Sequence, residues 1–321
     1  MKNVMAVVVF VVIAVVFVGI GVLRKGGDEE KPVKVAVIPK GTASVYWELV
    51  RVGAVKACDE LGYEMSWNGP ELETDRERQI QIINDFIAQK VDGVVLAPND
   101  SSALVPVVEK MYDRGLPCVI VDSGINTDKV LSFASTDNYK GGAIAAKRMG
   151  EILGGKGNII VVKFVTGSDS TELRISGFTE TIKKEFPGIT IVDSQFGGAT
   201  DESALSVVED MLTKNSDVDG LFSCNASTTR SSAQALKSTG RADGIKMVGF
   251  DADEMLIENL ESGVIDALIV QDPVKMGYLG VKMIAAKLNG EQVEKNVDTG
   301  VWLIKKEDLE KPEIQELLNL K

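Results

Sequence analysis

From Val33 onward the chain alternates two kinds of stretch: short β-branched runs, and longer windows in which apolar residues return every three or four positions. The runs are VKVAVI from Val33, DGVVLA from Asp92, PCVIVD from Pro117, NIIVVKFV from Asn158, ITIVD from Ile189, DGLFSC from Asp219, IKMVGFD from Ile245 and DALIVQD from Asp266. They are apolar at consecutive positions rather than alternate ones, so they read as strands covered on both faces. Between them lie helical windows such as Val45 to Leu61 and Thr74 to Gln89, where Ile80, Ile83 and Ile87 fall on one face. This rhythm predicts an α/β fold of doubly wound parallel sheets with helices on both sides.

Two segments share one plan. Each starts at an Asp-Gly pair (Asp92, Asp219), runs through a buried strand to an Asn (Asn99, Asn225), then a helix and a second strand, and ends on an Asp (Asp122, Asp251). Such duplication predicts two similar lobes. Ligands of open parallel sheets sit beyond the carboxyl ends of the strands, so each lobe would offer a polar rim to a shared cleft.

The N-terminus breaks the rhythm. Val4 to Leu23 is an uncharged, mostly Val run of twenty residues between Lys2 and Arg24-Lys25, enough as a helix to cross the roughly 30 Å hydrocarbon layer. It fits an uncleaved anchor or a signal peptide, and either exports the rest of the chain. No Cys lies near its end for lipid attachment. Residues 1–25 are therefore assigned to this segment, and the charged, turn-rich GGDEEKP of residues 26–32 to a linker.

Composition narrows function by exclusion. A net charge of -12 argues against nucleic acid, whose phosphates demand a surplus of Lys and Arg. The chain has no His, which removes the commonest general base and transition-metal ligand, and no metal or cofactor is expected. Cys58, Cys118 and Cys224 all lie in apolar contexts and read as buried free thiols. Lys40-Gly41-Thr42 has the wrong order for a phosphate loop, and GGKGN at Gly154 is a helix stop and turn.

The remaining polar groups suit hydroxyls. Asp122, Asp251, Asn225, Gln271 and Ser44 offer acceptors and donors at strand ends and loops, and Tyr46 or Trp47 a flat ring for the C-H face of a sugar. Alternatives stay open at this level: Asp251 as a helix cap, and one of the two rings as core filler.

From about Val33 to Trp302 the chain resembles the periplasmic type I sugar-binding proteins, close to the ribose-binding type, which deliver ligand to ATP-driven importers. The resemblance rests on the aromatic pair before VRVGAVKACDELGY, then QIQIINDFIAQKVDGVVLAPNDSSAL, GLPCVIVDSGI, ASTDNYKGG, RISGF, SCNAST, VGFDADE and VQDP. It implies two lobes joined by a three-strand hinge, with crossings near Thr136, Gln271-Asp272 and Gly300. The N-terminal lobe would hold residues 33–136 and 272–300, and the C-terminal lobe residues 137–271 and 301–321. It also implies an exported, monomeric, non-enzymatic binding protein that captures a sugar or polyol by hinge closure and serves a membrane permease of an ABC importer. A membrane-tethered sensor built on the same fold is the alternative.

Carried over by position, the resemblance places Ser44, Tyr46, Trp47, Asp122, Asn225, Phe250, Asp251 and Gln271 at the ligand. Ser123 stands where ribose binders have an arginine, and Glu172 where they have the first arginine of RxRxxGF, of which Arg174 remains. Arginine forks are not replaced by Ser and Glu without loss of bidentate recognition. The expectation is a more acidic site, with Lys40 as local counter-charge to Glu172, a ligand other than ribose, and an amino-bearing sugar as the variant Glu172 favours. Glu172 as a solvated charge at a helix start is the competing reading.

Overall fold

The computed structural model describes residues 31–318. The run Val4–Leu23 and most of the linker lie outside them. Among the described residues no helix is long and apolar enough to cross a membrane.

Two six-stranded sheets form the framework of the described residues. The first is built from β1 (Lys34–Ile38), β2 (Glu64–Trp67), β3 (Gly93–Leu96), β4 (Cys118–Val121), β5 (Ser132–Ser135) and β11 (Asn296–Asp298), in the order β11-β5-β4-β3-β1-β2. The second is built from β6 (Lys156–Lys163), β7 (Gly188–Phe196), β8 (Gly220–Ser223), β9 (Lys246–Phe250), β10 (Ala267–Val270) and β12 (Trp302–Ile304), in the order β12-β10-β9-β8-β6-β7. All neighbours are parallel except β10 and β12. In each sheet the order reverses beside the first strand, β1 or β6, and that crevice is where α/β sheets take ligands. Eight strands correspond to the β-branched runs. β2, β5, β11 and β12 are short strands that hydrophobicity did not announce.

The helices are α1 (Val45–Leu61), α2 (Arg76–Gln89), α3 (Val105–Asp113), α4 (Asn138–Ile152), α5 (Asp169–Glu185), α6 (Asp201–Lys214), α7 (Ala226–Ser238), α8 (Glu254–Ser262), α9 (Pro273–Leu288) and α10 (Pro312–Leu317). On α2 the buried stripe is Gln79, Ile82, Ile83, Phe86 and Ile87, with Ile80 only half-buried at its side. The chain passes from one sheet region to the other between β5 and α4, between β10 and α9, and between β11 and β12. The Thr136 hydroxyl donates to the Gly300 carbonyl at 3.1 Å, tying two of these passages together.

The duplicated plan is physical. Asp92 accepts the backbone N-H of Lys34 at 2.7 Å, and Asp219 that of Asn158 at 2.7 Å, so each Asp-Gly pair stitches its strand to the neighbouring one. Each lobe also contains a close helix crossing. A Cβ on Gly53 or Gly277 would fall within 2 Å of a carbonyl oxygen of the partner helix, at 1.8 Å (Val274) and 1.9 Å (Val50). The second lobe repeats this, with 2.0 Å from Gly142 to the Arg174 carbonyl and 2.0 Å from Gly177 to the Tyr139 carbonyl. Backbones that touch this way admit no side chain, so these glycines are fixed by packing. The match fails at the asparagines. Asn225 caps α7, accepting the Thr228 N-H at 3.2 Å, whereas Asn99 is buried with its side-chain amide unbonded among the described residues, and Asp100 takes the turn bonds from Ser102 and Ala103.

Candidate functional site

Both strand-end aspartates leave their sheets in the left-handed region, Asp122 at φ 64° and Asp251 at φ 70°. Short polar side chains tolerate that conformation best. The turn directs each carboxyl into a cavity of about 340 Å³ lined by both lobes, small enough to suit a single small molecule.

In the first lobe, Asp122 receives the Tyr46 hydroxyl on Oδ1 at 2.8 Å and pairs with Lys40 Nζ through Oδ2 at 2.7 Å. Burial pushes this carboxyl up, but the charges of Lys40 and Arg174 and the bonds from Lys40 and Tyr46 outweigh it and hold the group below its usual range. Tyr46 is pushed up by burial and by the Asp122 charge, so its phenol stays protonated as the donor. Trp47 is almost wholly buried, packed edge-on to Tyr46 with centroids 5.0 Å apart at 89°, and still gives an edge to the cavity. Its indole N-H donates to Glu73 at 2.8 Å. Ser44 lines the wall, but its hydroxyl accepts the Tyr46 N-H at 3.3 Å as the cap of α1.

In the second lobe, Asp251 accepts the Gln271 amide on Oδ1 at 2.6 Å and the Ala226 N-H, at the start of α7, on Oδ2 at 2.9 Å. Arg174 stands 3.9 Å from Oδ2. Burial is the largest influence here and raises this carboxyl despite Arg174 and Gln271. Arg174 donates through Nε to Asn138 at 2.8 Å and through Nη1 to the Cys224 carbonyl at 3.0 Å, and lies 3.9 Å over the Phe250 ring. Two buried atoms of this group have no partner among the described residues: Arg174 Nη2, a donor, and Gln271 Oε1, an acceptor. Leaving a buried polar atom unpaired costs about 1–3 kcal/mol. A molecule that answers both therefore gains more here than at Asp251, each of whose oxygens already accepts a hydrogen bond.

Of the twelve residues expected at the ligand, Lys40, Ser44, Tyr46, Trp47, Asp122, Arg174, Asn225, Asp251 and Gln271 line the cavity. Three do not. Phe250 is a core side chain beneath Arg174. Ser123 is fully buried and accepts the Ser170 N-H at 3.0 Å, a contact between lobes. Glu172 is exposed and accepts the Gly167 N-H at 2.8 Å, so it serves the first turn of α5, the solvated helix-start reading. Lys40 accordingly balances Asp122 and not Glu172.

The cavity also has walls that the sequence did not suggest. Glu73 comes from the loop after the unforeseen β2 and is raised by burial despite Lys40 and Trp47. Arg230, on α7, is gripped by Asp201 at 2.8 and 3.1 Å and by Asp253 at 2.7 Å. Phe164, directly after β6, was findable from the strand-end rule. Glu73 had no such signal.

A model of the periplasmic binding protein domain family matches residues 35–292. The chain belongs to the periplasmic binding protein family. This binding protein has the type I fold, two parallel-sheet lobes flanking a cleft. It is 28% identical over 277 residues to the D-ribose/D-allose-binding protein of Pseudomonas aeruginosa, covering 84% of this chain and 86% of that one. It is 27% identical over 233 residues to the ribose import binding protein RbsB of Bacillus subtilis, covering 73% and 75%. Among solved structures, a carbohydrate transporter solute binding protein from Agrobacterium radiobacter in complex with D-arabinose superposes on this binding protein with a TM-score of 0.87 at 33% identity, covering 91% of this chain and 100% of that one. An ABC transporter solute binding protein from Agrobacterium vitis with bound D-fucose gives 0.86 at 34% identity, covering 89% and 99%.

Proposed function

We propose that the chain is an extracytoplasmic solute-binding protein, monomeric and non-enzymatic, that captures a neutral sugar or polyol by hinge closure and delivers it to the membrane permease of an ABC-type importer. The observation that carries this reading is the pair of orphaned buried atoms, Arg174 Nη2 and Gln271 Oε1, flanking one carboxylate in the cleft. A hydroxyl accepts from one and donates to the other, and adjacent hydroxyls do both at once. Tyr46, Trp47 and Phe164 supply apolar surface for a sugar's C-H face. The sugars named for the relatives support the same ligand class.

Charge selects within that class. Each cation of the wall already has its acid: Lys40 has Asp122, Arg174 has Asp251, and Arg230 has Asp201 and Asp253. Glu73 adds a carboxyl with no cation of its own within ion-pair reach among the described residues. The cleft therefore offers no uncompensated positive charge to a uronate or sugar phosphate.

A thermal-shift panel of D-ribose, D-allose, D-arabinose, D-fucose, polyols, a uronate and a sugar phosphate tests this, since a ligand of the folded state raises stability by mass action. The expected result is stabilisation by one or more neutral compounds and none by the anions, with the response lost in Arg174→Met. A response confined to anions, or none across the panel, overturns the reading. A strongest response to ribose would remove the expectation drawn from Ser123 and Glu172.

A further inference from the structure

The loop between β2 and α2 carries a carboxyl into the first lobe's wall, and its neighbours leave it little freedom. Buried Gln79, in the first turn of α2, donates to the carbonyls of Pro39 and Ala97, both at 2.8 Å, and so fastens that helix over the ends of β1 and β3. On the other side the Thr42 N-H donates to the Glu71 carbonyl at 3.3 Å, and the Thr42 hydroxyl to the Pro70 carbonyl at 3.3 Å. A Cβ on Gly41 would meet Glu73 Cγ at 2.9 Å, so the stem of Glu73 lies directly on that backbone. Trp47, 2% exposed, gives its indole N-H to Glu73 Oε1 at 2.8 Å, and a buried donor of this kind is costly to leave unpaired. A carboxylate accepts on both oxygens. Oε2 receives no hydrogen bond among the described residues, in a side chain that lines the cavity. Burial raises this carboxyl, the charges of Asp122 and Asp251 add to that, and Lys40, whose own partner is Asp122, offsets only part. Among the described residues, three cations and six acids line the cavity, so a positive group entering it meets acid in excess.

We propose that Glu73 is a specificity-determining residue of the first lobe's wall: its unbonded oxygen takes a hydrogen-bond donor of the ligand beside Trp47, and ranks an amine at that ligand position above a hydroxyl. The inference rests on the sugar reading and refines it. A hydroxyl gives Oε2 a charge-assisted bond, and an ammonium gives it the same bond together with the counter-charge that this carboxyl lacks. A deoxy carbon at that position gives it nothing and leaves it desolvated once the sugar fills the cleft. Within the sugar class, the derivative with one amine at that position is therefore the best-matched ligand, the rest of it being read by Arg174, Gln271 and the aromatic surfaces. Glu172, exposed at the start of α5, has no part in this selection.

The test is calorimetric titration of the full chain near neutral pH with D-ribose, D-allose, D-arabinose and D-fucose, and with derivatives of each in which one non-anomeric hydroxyl at a time is replaced by an amine or by hydrogen. For the sugars that bind, one position is expected to stand out in the wild type, the amine binding about tenfold more tightly than the parent and the deoxy derivative about tenfold more weakly. Glu73→Gln keeps an oxygen for the Trp47 N-H and turns an amide N-H toward the ligand. Its thermal midpoint without ligand is expected to be nearly unchanged, and the amine at the marked position to bind more weakly than the parent. That reversal separates recognition by the carboxyl from mere support of Trp47, which the amide supplies equally. The same amine-to-parent ratios in both proteins, or no position at which the wild type favours the amine, overturns the assignment. The second of these results needs no variant and decides even if Glu73→Gln does not fold. Parents that bind with flat ratios leave the sugar reading standing, whereas no binding by any sugar removes that reading and this one together.

Discussion

Asp122 and Asp251 occupy the same place in two lobes of the same plan, yet they sit in opposite electrostatic conditions. Both follow a central strand, β4 or β9, and both donate a backbone N-H to the next strand, at 3.2 Å to Ala134 and 2.7 Å to Ile269. Asp122 holds a full counter-charge at 2.7 Å and is lowered, whereas Asp251 is served by an amide, a helix N-H and an arginine at 3.9 Å, and is raised. The two lobes thus divide the labour. The first neutralises its own charge around Lys40, and the second leaves Arg174 and Gln271 unfinished for something else to complete.

The widest gap between the lobes should appear in stability. Asp122→Asn leaves the Lys40 ammonium buried without its carboxylate and is expected to cost about 3–5 kcal/mol, the range for breaking a buried pair. Asp251→Asn is expected to cost less, about 1–3 kcal/mol, because the amide oxygen can take over only one of the bonds from Ala226 and Gln271, leaving a single neutral donor unpaired and no buried ammonium without its carboxylate. Urea unfolding of the two variants measures both, and equal losses would erase the contrast.

A narrower difference concerns the helix crossings. Gly142→Ala and Gly277→Ala each force touching backbones apart and are expected to lose about 1–3 kcal/mol. Gly142 presses on the Arg174 carbonyl itself, while Gly277 presses on Val50, beyond the Tyr46-Trp47 turn. Affinity for whichever sugar the panel identifies should therefore fall about tenfold in Gly142→Ala and change little in Gly277→Ala, as calorimetry would reveal.

The smallest effect is one of sign with pH. The folded Asp122 carboxyl lies below its ordinary value of 3.8, so the stability it lends is complete above 3.8 and is lost as pH falls below that. Asp251 lies above 3.8 when folded, so its ionised form costs stability near neutrality, and that cost fades as pH falls through the raised value toward 3.8. On acidification from about pH 7 to pH 4, wild type should gain on Asp251→Asn, while its margin over Asp122→Asn holds and shrinks only below that window. Urea midpoints across the range give the two slopes, and parallel slopes would contradict the assignment.

Much was legible in the chain because the rules involved are local. Strands buried on both faces need unbroken apolar runs, so eight of them announced themselves, and with the Asp-Gly repeat they specified two parallel-sheet lobes and the strand-end groups Asp122, Asn225, Asp251 and Gln271 of the cavity wall. β2, β5 and β11 escaped because EMSW, SFAS and NVD mix polar with apolar residues, unlike the equally short GVVL and ALIV, and β12 because WLI is only three residues long. Which charge meets which was settled by the packing of distant segments. Glu172 and Arg174 are two residues apart on one helix, and the 3.6-residue turn sends the first to solvent and the second under the cleft floor, over Phe250. Lys40 meets Ser168 and Ser170 from more than a hundred positions away, and Glu73 reaches Trp47 through a loop with no motif. Sequence periodicity reports the face a residue shows to its own element. It carries no information about the partner that another element brings to that face, and in a cleft made by two lobes the partners set the chemistry.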